Sequence, residues 1–254
     1  MPSHERDRAR RTSAKSPSAK RLKTYRQKRD FTTSPEPTGD SRRRAPKERF
    51  FCVQKHLASH LHYDFRLEHR GVLLSWAVPK GPVPDPAVKR LAMQVEDHPI
   101  DYGTFEGVIP SGYGAGIVVL WDRGIWRPLV EDVDAALRRG NLPFVVLGEK
   151  VQGAWTLVRS GRMGKNSWLL IKQRDEWATG QNLAEERPES VASGADFAEV
   201  LAQSENPWTD VAPVKSGETG ALFRAIIASA DKLRESRERP RATRRKQRVP
   251  DTFS

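Results

Sequence analysis

Histidine and carboxylate side chains are concentrated in one short stretch of the chain. Five of the six histidines lie between positions 56 and 98, and the run from His60 to Glu68 alternates polar with apolar residues. Successive side chains of a β-strand point to opposite faces. On a strand, the apolar set would face a core. The other face would then carry two imidazoles, two carboxylates and a guanidinium, from His60, His62, Asp64, Arg66 and Glu68.

This polar face has the chemistry of a divalent metal site. Imidazole nitrogens and carboxylate oxygens together suit transition metals. His62 and Asp64 share the face, and His56 is expected to reach it from the preceding turn, which predicts an N,N,O ligand set with open positions. His60 is a weaker candidate, as a ligand or as a support for the others. The alternative is a half-buried strand whose polar face meets solvent, although such faces usually carry Thr, Lys and Glu.

A second set of residues could bind or polarise a phosphoryl group. Arg66 adjoins the predicted ligands, and a guanidinium suits phosphate oxygens. Lys80 lies in a proline-rich loop, Arg90 precedes a strand, and His98 and Tyr102 lie four residues apart in a loop. His98 is a candidate acid or a cationic hydrogen-bond donor, and the sequence does not choose between these roles. Taken separately, each residue is a weak indication, since each also fits a solvated charge, a turn or a core position.

The elements that must position these residues are short strands. From Arg49 the chain is rich in Val, Phe, Tyr, Trp and Leu and is interrupted by Gly and Pro, which predicts an all-β domain. The loop Pro79–Pro86 contains four prolines and cannot be a central strand. A short helix is expected over Val133–Arg139. The predicted strands are Arg49–Gln54, His60–Glu68, Gly71–Val78, Leu91–Glu96, Ile117–Asp122, Gln152–Arg159 and Ser167–Lys172.

The net charge of +12 is concentrated at the two ends of the chain. Residues 1–50 carry a net +10 and residues 232–254 a net +6, so the residues between them are net negative, at −4. Clustered Lys and Arg attract polyanions through phosphate contacts and counterion release. Nucleic acid is therefore the expected partner, although basic tails can also serve only as solubilising or nonspecific segments.

Composition divides the chain into three parts. Residues 1–30 have little to bury and are expected to form a disordered basic tail, with at most a nascent helix over Ala19–Asp30. Residues 31–178 are expected to form the β-domain. Residues 179–254 are expected to be a linker with short helices near Ala195–Gln203 and Ala221–Leu233, followed by a basic C-terminal tail.

Cysteine usage and hydropathy limit the class of protein. With Cys52 alone, an internal disulfide and a cysteine-based zinc site are both excluded. The N-terminus lacks the apolar core of a signal peptide, and no stretch approaches the roughly 18 apolar residues of a membrane span. We therefore expect a cytoplasmic protein, associated with the nucleoid, that has no membrane partner.

Six motifs follow one another through the middle of the chain. They are FCVQKHLASHLHYDFRLE at 51–68, LSWAVPKGP at 74–82, EDHPIDY at 96–102, FEGVIP at 105–110, YGAG at 113–116 and GAWTLVR at 153–159. In this order they closely resemble the 3′-phosphoesterase domain of bacterial DNA ligase D, over roughly residues 31–178. The loop before Tyr113 is one residue shorter than is usual in that family. No ligase or polymerase module is visible, so the chain looks like a stand-alone member.

The resemblance implies a fold, an activity and a site. It implies a compact, closed or nearly closed β-barrel that trims a 3′-terminal ribonucleotide or removes a 3′-phosphate, leaving a 3′-hydroxyl for repair synthesis or ligation. It also implies manganese as the metal and DNA or primer-template 3′ ends as the substrate, with a DNA ligase, a polymerase or a Ku-type end-binding protein as further partners. Carried over by position, the resemblance implies that the metal ligands are His56, His62 and Asp64. It implies that the phosphate-contacting or transition-state-stabilising groups are Arg66, Lys80, Arg90 and His98. Tyr102 would supply a hydroxyl, and Glu36 resembles an N-terminal functional glutamate of the family.

Two other functions compete with this interpretation. His60 and His62 followed by Glu68 resemble the first metal motif of cupin-type oxygenases, although the later histidine of that family is missing from residues 109–116. A non-catalytic scaffold for DNA ends in end joining would use the basic tails for affinity and the β-domain to dock a partner. It predicts salt-sensitive binding without turnover.

Overall fold

Nine antiparallel strands form one sheet that closes on itself. A computed structural model describes residues 17–40, 48–161, 164–205 and 217–238. The strands are β1 (Phe50–Leu57), β2 (Leu61–His69), β3 (Val72–Val78), β4 (Lys89–Gln94), β5 (Gly107–Ile109), β6 (Gly116–Pro128), β7 (Asn141–Gly148), β8 (Gln152–Arg159) and β9 (Ser167–Lys172). Their order is β1-β2-β3-β4-β9-β8-β7-β6-β5, and β6 also pairs with β1. This extra pairing closes an eight-stranded barrel and leaves β5 as an additional strand along β6.

Six helices accompany the barrel in the described part of the chain. They are α1 (Pro17–Arg21), α2 (Lys23–Gln27), α3 (Val133–Arg139), α4 (Leu183–Glu186), α5 (Phe197–Gln203) and α6 (Gly217–Glu238), and a 3-10 turn covers Ile100–Thr104. Among these described helices, none is both long and apolar enough to cross a membrane. The predicted all-β barrel with few helices is confirmed, although α6 is longer than expected.

Apolar side chains fill the interior of the barrel. Tyr63, Phe65 and Leu67 of β2 point inward and pack with Phe51 and Val53 of β1. Burial of large aromatic side chains is a major stabilising contribution, at roughly 25 cal/mol per Å² of apolar surface. Because β2 places its apolar set inside, its polar set must lie on the outer surface of the barrel. The tryptophans that are almost completely buried are Trp76, Trp121, Trp126, Trp155 and Trp168.

The N-terminal segment covers part of that outer surface. Leu22 and Tyr25, from the region of α1 and α2, form a buried cluster with Val72 and Tyr102. The hydroxyl of Tyr25 donates to the carbonyl of Pro37 at 2.6 Å, which ties α2 to the segment that follows it. The barrel therefore supplies the apolar surface on which these short helices fold.

Residues 1–30 were predicted to form a disordered tail, whereas the structure has α1 and α2 within Pro17–Gln27. Two short helices that bury only a few side chains show no clear amphipathic period, so their folding could not be read from composition. The expected nascent helix over Ala19–Asp30 overlaps the observed α1 and α2. Residues 1–16 lie outside the described residues.

The C-terminal segment also packs on the barrel. Phe197 of α5 and Phe223 of α6 form a buried cluster with Leu57 of β1 and Ile117 of β6. A capping box begins α5, in which the side chain of Asp196 and that of Glu199 each accept a backbone N–H of the first turn. These helices are therefore part of the folded unit.

Residues 179–254 were predicted to be a linker with short helices and a basic tail, and in the structure α5 and α6 share a buried cluster with β1 and β6. The expected helix Ala195–Gln203 corresponds to α5, and Ala221–Leu233 falls within α6. Residues 206–216 and the basic tail from residue 239 lie outside the described residues.

All seven predicted strands are present, but two further strands were missed. The missed strands are β5, which has three residues, and β7, which contains Pro143. Pairing of β7 with β6 ends at Phe144, so Pro143 lies beyond it, at a position where a strand tolerates a residue without an N–H group. A proline there therefore does not end the strand.

A buried carboxylate holds the turn that joins β7 to β8. Asp122 is fully buried and accepts the backbone N–H groups of Arg123, Glu149, Lys150 and Val151 at 2.8–3.0 Å. Burial raises the pKa of Asp122 to about 6, and the four hydrogen bonds act against that rise because they stabilise the charged form. One side chain thus fixes the path of β6 relative to the β7–β8 turn.

We predict that Asp122→Asn lowers the free energy of unfolding by about 2–3 kcal/mol, because an amide nitrogen would face backbone N–H donors and leave at least one of them buried and unpaired. Urea unfolding measures the change. Asp85→Asn is the matched control, because Asp85 accepts one N–H, from Ala87, in an exposed turn. An equal loss of unfolding free energy in the Asp122→Asn and Asp85→Asn variants would contradict the role of Asp122 in holding the turn.

Candidate metal centre

Two neighbouring strands bring a pair of histidines together. His56 of β1 and His62 of β2 are direct cross-strand partners, with ring centroids 4.8 Å apart. Asp64 follows His62 by two residues and so lies on the same outer face. One ligand atom from each of the three residues lies within 4.8 Å of the other two. The structure therefore assembles the three predicted ligands, with His56 on a strand and not in the expected turn.

Backbone carbonyls determine which nitrogen of each imidazole faces the centre. His56 Nε2 lies 2.9 Å from the carbonyl of Gly114, and His62 Nδ1 lies 2.9 Å from that of His60. A carbonyl can only accept, so these nitrogens carry the protons, and His56 Nδ1 and His62 Nε2 present lone pairs. Those two atoms lie 3.7 and 3.8 Å from Asp64 Oδ2. This arrangement fits a divalent metal, because metal-bound histidines commonly donate their other N–H to a carbonyl or carboxylate.

Arg66 keeps the carboxylate of the centre ionised. Its Nη2 donates to Asp64 Oδ2 at 3.0 Å. Burial acts to raise the pKa of Asp64, but the charge of Arg66 acts in the opposite direction, and that pKa stays well below its usual range. Burial lowers the pKa of His62, which favours the neutral imidazole. A charged carboxylate and neutral imidazoles are the states that bind a metal.

Arg66 is itself held by the protein on the remaining sides of its guanidinium. Nε donates to Gln54 Oε1 and Nη1 donates to Ser75 Oγ, both at 2.7 Å, and Arg66 is only 1% exposed. Gln54 also donates to the carbonyl of Tyr102 at 2.9 Å. Arg66 also lines the cavity that contains His56, His62 and Asp64, and it brings positive charge to that cavity. Its direct contacts show that it positions Asp64.

A second arginine reaches the site from the N-terminal segment. Arg29 follows α2, and its guanidinium contacts Glu36 at 2.7 Å, Glu96 at 3.2 Å and His98 Nε2 at 3.1 Å. Burial acts to lower the pKa of Arg29, but Glu36 outweighs burial and raises it, so the side chain stays charged. Glu36 does not line the cavity, and its contact with the site runs through Arg29.

His98 and Tyr102 form the wall beside the two arginines. His98 Nδ1 donates to the carbonyl of Glu96 at 2.8 Å, so its Nε2 accepts from Arg29. Its ring meets Tyr102 edge to face at 4.8 Å, and the Tyr102 ring lies 4.9 Å from the guanidinium carbon of Arg66. Burial, followed by Arg66 and Arg29, lowers the pKa of His98 well below its usual value, and burial raises the pKa of Tyr102. The structure thus favours a neutral His98 over a cationic one.

These groups line one open cavity of about 580 Å³, a volume within the range of ligand-binding clefts. The loop of residues 110–115, which joins β5 to β6, forms part of its rim. The lining includes Arg29, His56, His62, Asp64, Arg66, Glu96, His98, Tyr102 and Tyr113.

Lys80 and Arg90 do not lie in this cavity. Both line a second cavity of about 880 Å³ that also includes Lys55 and Tyr63. Tyr63 belongs to the inward set of β2, whereas His62 and Asp64 belong to the outward set. The structure therefore separates Lys80 and Arg90 from the metal ligands. Their distance along the chain gave no information about which face of the sheet they would reach.

The other polar residues of the His60–Glu68 run have different positions. The side chain of His60 is exposed, and its backbone carbonyl orients His62. Glu68 lies six residues beyond His62, roughly 20 Å along an extended strand, and its carboxylate accepts a backbone N–H in the β2–β3 turn. The cupin-type set of His60, His62 and Glu68 is therefore not assembled. His69 is buried and contacts Asp134 at 2.9 Å.

Several residues of this site were not predicted, among them Gln54, Arg29 and Tyr113. Gln54 is a polar residue in an apolar strand, and it lies directly opposite Asp64. Arg29 closely precedes the segment that contains Glu36, which had already been singled out. Tyr113 belongs to a recognised motif but had no assigned role.

Known proteins match this chain over the same region. A family model for the DNA Ligase D 3′-phosphoesterase domain matches residues 54–159. A protein of Pseudomonas aeruginosa named Multifunctional non-homologous end joining protein LigD is 54% identical over 183 residues, which cover 70% of this chain and 22% of that protein. The Mycobacterium tuberculosis protein named Multifunctional non-homologous end joining DNA repair protein LigD is 40% identical over 170 residues, which cover 65% of this chain and 22% of that protein.

The chain thus spans about a fifth of the length of the curated relatives it matches. The region matched by the family model contains the three candidate metal ligands together with Arg66, His98 and Tyr102. The barrel and the centre on its outer face are built largely from this region. Residues 54–159 of this chain therefore belong to the DNA ligase D 3′-phosphoesterase domain family.

Proposed function

We propose that this protein is a metal-dependent phosphoesterase that processes 3′ ends of DNA, removing a 3′-phosphate or a 3′-terminal ribonucleotide to leave a 3′-hydroxyl. The observation that carries the proposal is the convergence of His56, His62 and Asp64 beside two buried arginines in an open cavity. The relatives are named for non-homologous end joining, which supports DNA ends as the substrate.

The three ligands would hold one divalent ion. Two imidazole nitrogens and a carboxylate oxygen suit a first-row transition metal, and we propose manganese because of the resemblance to the family. Such an ion polarises a phosphoryl oxygen and lowers the pKa of a bound water. His56 and His62 present lone pairs to the centre because their other nitrogens donate to backbone carbonyls.

The surrounding residues would act by electrostatics and by position. Arg29 and Arg66 place positive charge beside the centre, where negative charge develops on the phosphoryl oxygens. Arg66 also orients Asp64, and Glu36 orients Arg29. The buried rings of His98 and Tyr102 reduce access of water to this wall of the cavity, and we propose that the hydroxyl of Tyr102 meets the substrate.

The proposal extends to how the protein binds DNA and to its partners. DNA or primer-template ends would be bound in part through the basic ends of the chain, since clustered positive charge favours phosphate contacts. Lys80 and Arg90 are candidates for phosphate contacts outside the metal cavity. We propose that the protein works in the cytoplasm at the nucleoid, with a ligase, a polymerase or a Ku-type end-binding protein.

We predict that His62→Ala and Asp64→Asn each reduce kcat/KM on a 3′-phosphorylated primer-template by at least about 100-fold, because the first removes a metal ligand and the second removes the negative charge of another. Product sizing of a labelled primer with added manganese measures the reaction, and a chelator should abolish it. His60→Ala is the matched control, since His60 lies two residues away with an exposed side chain. It should stay within about threefold of the wild type.

The same assay separates the enzyme from a scaffold. A non-catalytic DNA-end-binding protein would bind the primer in a salt-sensitive way, would leave its length and phosphate unchanged, and would be indifferent to chelator. Full hydrolysis by the His62→Ala variant would instead show that the metal assignment is wrong.

We predict that Arg29→Gln lowers kcat/KM on the same substrate by about 100-fold, because it removes a buried positive charge beside the centre. Arg26→Gln is the control. Arg26 lies three residues earlier on α2 and contacts Thr38, Gly39 and Asp40 away from the cavity. Melting temperatures of both variants should be measured alongside, and a loss of activity explained by unfolding of the Arg29 variant at the assay temperature would count against the prediction.

A further inference from the structure

Tyr113 is an aromatic residue at the rim of the metal cavity that the chemistry described so far does not use. It is 48% exposed and lines the same cavity as His56 and Asp64. The other tyrosine of that lining, Tyr102, is 2% exposed. In the described part of the chain, Tyr113 is thus the one tyrosine, phenylalanine or tryptophan of this cavity whose ring is open to a ligand.

The loop that carries Tyr113 is built to hold a defined shape. Gly112, Gly114 and Gly116 all have positive φ, at +80°, +81° and +157°. A Cβ atom on Gly116 would lie 2.2 Å from the carbonyl oxygen of Leu57, so glycine is required there. The sharp path of this loop brings the Tyr113 ring to the rim of the cavity.

The same loop is joined to the metal centre by a hydrogen bond. The carbonyl of Gly114, the residue after Tyr113, accepts the Nε2–H of His56 at 2.9 Å. The carbonyl of Gly114 therefore connects the backbone next to Tyr113 to His56, a candidate metal ligand. A group that contacts the Tyr113 ring is held at a set position relative to the phosphoester at the centre.

Cations from the N-terminal segment lie beside the ring. Lys28 Nζ lies 4.3 Å from the centroid of the Tyr113 ring and donates to the Tyr113 hydroxyl at 3.2 Å. Lys28 is itself paired with Glu96 at 2.9 Å, and the guanidinium carbon of Arg29 lies 5.6 Å from the same centroid. The ring is therefore supported on one side while almost half of the residue stays open to solvent.

An exposed aromatic ring next to cations is the combination with which proteins bind single nucleotides of a strand. Base–aromatic stacking is tolerant of sequence, because every base has a π-face, and nearby cations attract the backbone. An enzyme that acts on any DNA end needs this tolerance. A terminal phosphate at the metal centre would leave its own nucleoside as the next group outward, toward the rim.

We propose that Tyr113 stacks on the base of the 3′-terminal nucleoside and so positions the terminal phosphoester at the metal centre. This inference rests on the proposed function for the identity of the substrate, because it names the group that the rim of that site recognises. Tyr113 is a binding and positioning residue here. It discriminates ends that carry a base from ends that do not, without preference among the four bases.

A thermodynamic cycle between the residue and the base tests the proposal. Binding of two primer-templates is measured by fluorescence anisotropy in chelator, so that no turnover is needed. One ends in an ordinary 3′-phosphorylated nucleoside, and the other ends in a 3′-phosphorylated abasic residue. Tyr113→Ala should weaken binding of the first by about 10-fold, within the range of base–aromatic stacking, and should leave binding of the second unchanged.

Two further variants complete the design. Tyr113→Phe should restore binding of the ordinary end to within about twofold, because stacking needs the ring and not the hydroxyl. Trp177→Ala is the matched control, since Trp177 is 44% exposed and does not line the cavity. It should change binding of neither primer.

The outcomes distinguish the role of Tyr113 from the proposed function. If Tyr113→Ala weakened binding of both primers equally, Tyr113 would only support the loop. If Tyr113→Ala did not weaken binding of the ordinary primer, no stacking would occur. Either result overturns the inference. Hydrolysis by the wild type with manganese is measured in parallel. Failure of that reaction would count against the proposed function, whereas the binding cycle would still decide the role of Tyr113.

Discussion

The contact between Arg66 and Asp64 is the interaction on which the site depends. Both residues are buried on the outer face of a barrel strand, where unpaired charges would be strongly destabilising. Gln54 and Ser75 accept from the other two nitrogens of the guanidinium, so each of its three nitrogens donates to a group of the protein. A buried charged layer outside the barrel must also be covered. The 3-10 turn that carries Tyr102 and the N-terminal segment provide this cover, and each adds groups to the cavity.

The first two strands combine stability and chemistry by using their two faces separately. Their inward side chains pack in the aromatic core, and their outward side chains form the metal centre. The register that pairs His56 with His62 is therefore fixed by the core, because a slip of one residue would turn every apolar side chain outward. The positions of the ligands therefore follow from the pairing of β1 with β2.

The N-terminal segment brings positive charge to the candidate metal centre. Its apolar residues attach it to the barrel, and Arg29 then reaches between Glu36, Glu96 and His98. Positive charge is thus present both in the long-range field of the chain ends and at the centre itself. In the proposed function, the charged chain ends would attract DNA from solution, and the charge at the centre would act on a phosphoester already bound.

The sequence by itself determined the elements and faces that follow from local alternation. Seven strands, the helix Val133–Arg139 and the pair of His62 and Asp64 were predictable from local patterns, since side-chain direction in a strand repeats every two residues. His56 was predicted as the third ligand but was expected in a turn, and it lies on β1. Tertiary structure alone decided what depends on contacts between distant segments. It placed Arg29 in the site, separated Lys80 and Arg90 from it, and brought Tyr113 to the rim. Such contacts arise from barrel closure and shared burial, which leave no local period in the sequence.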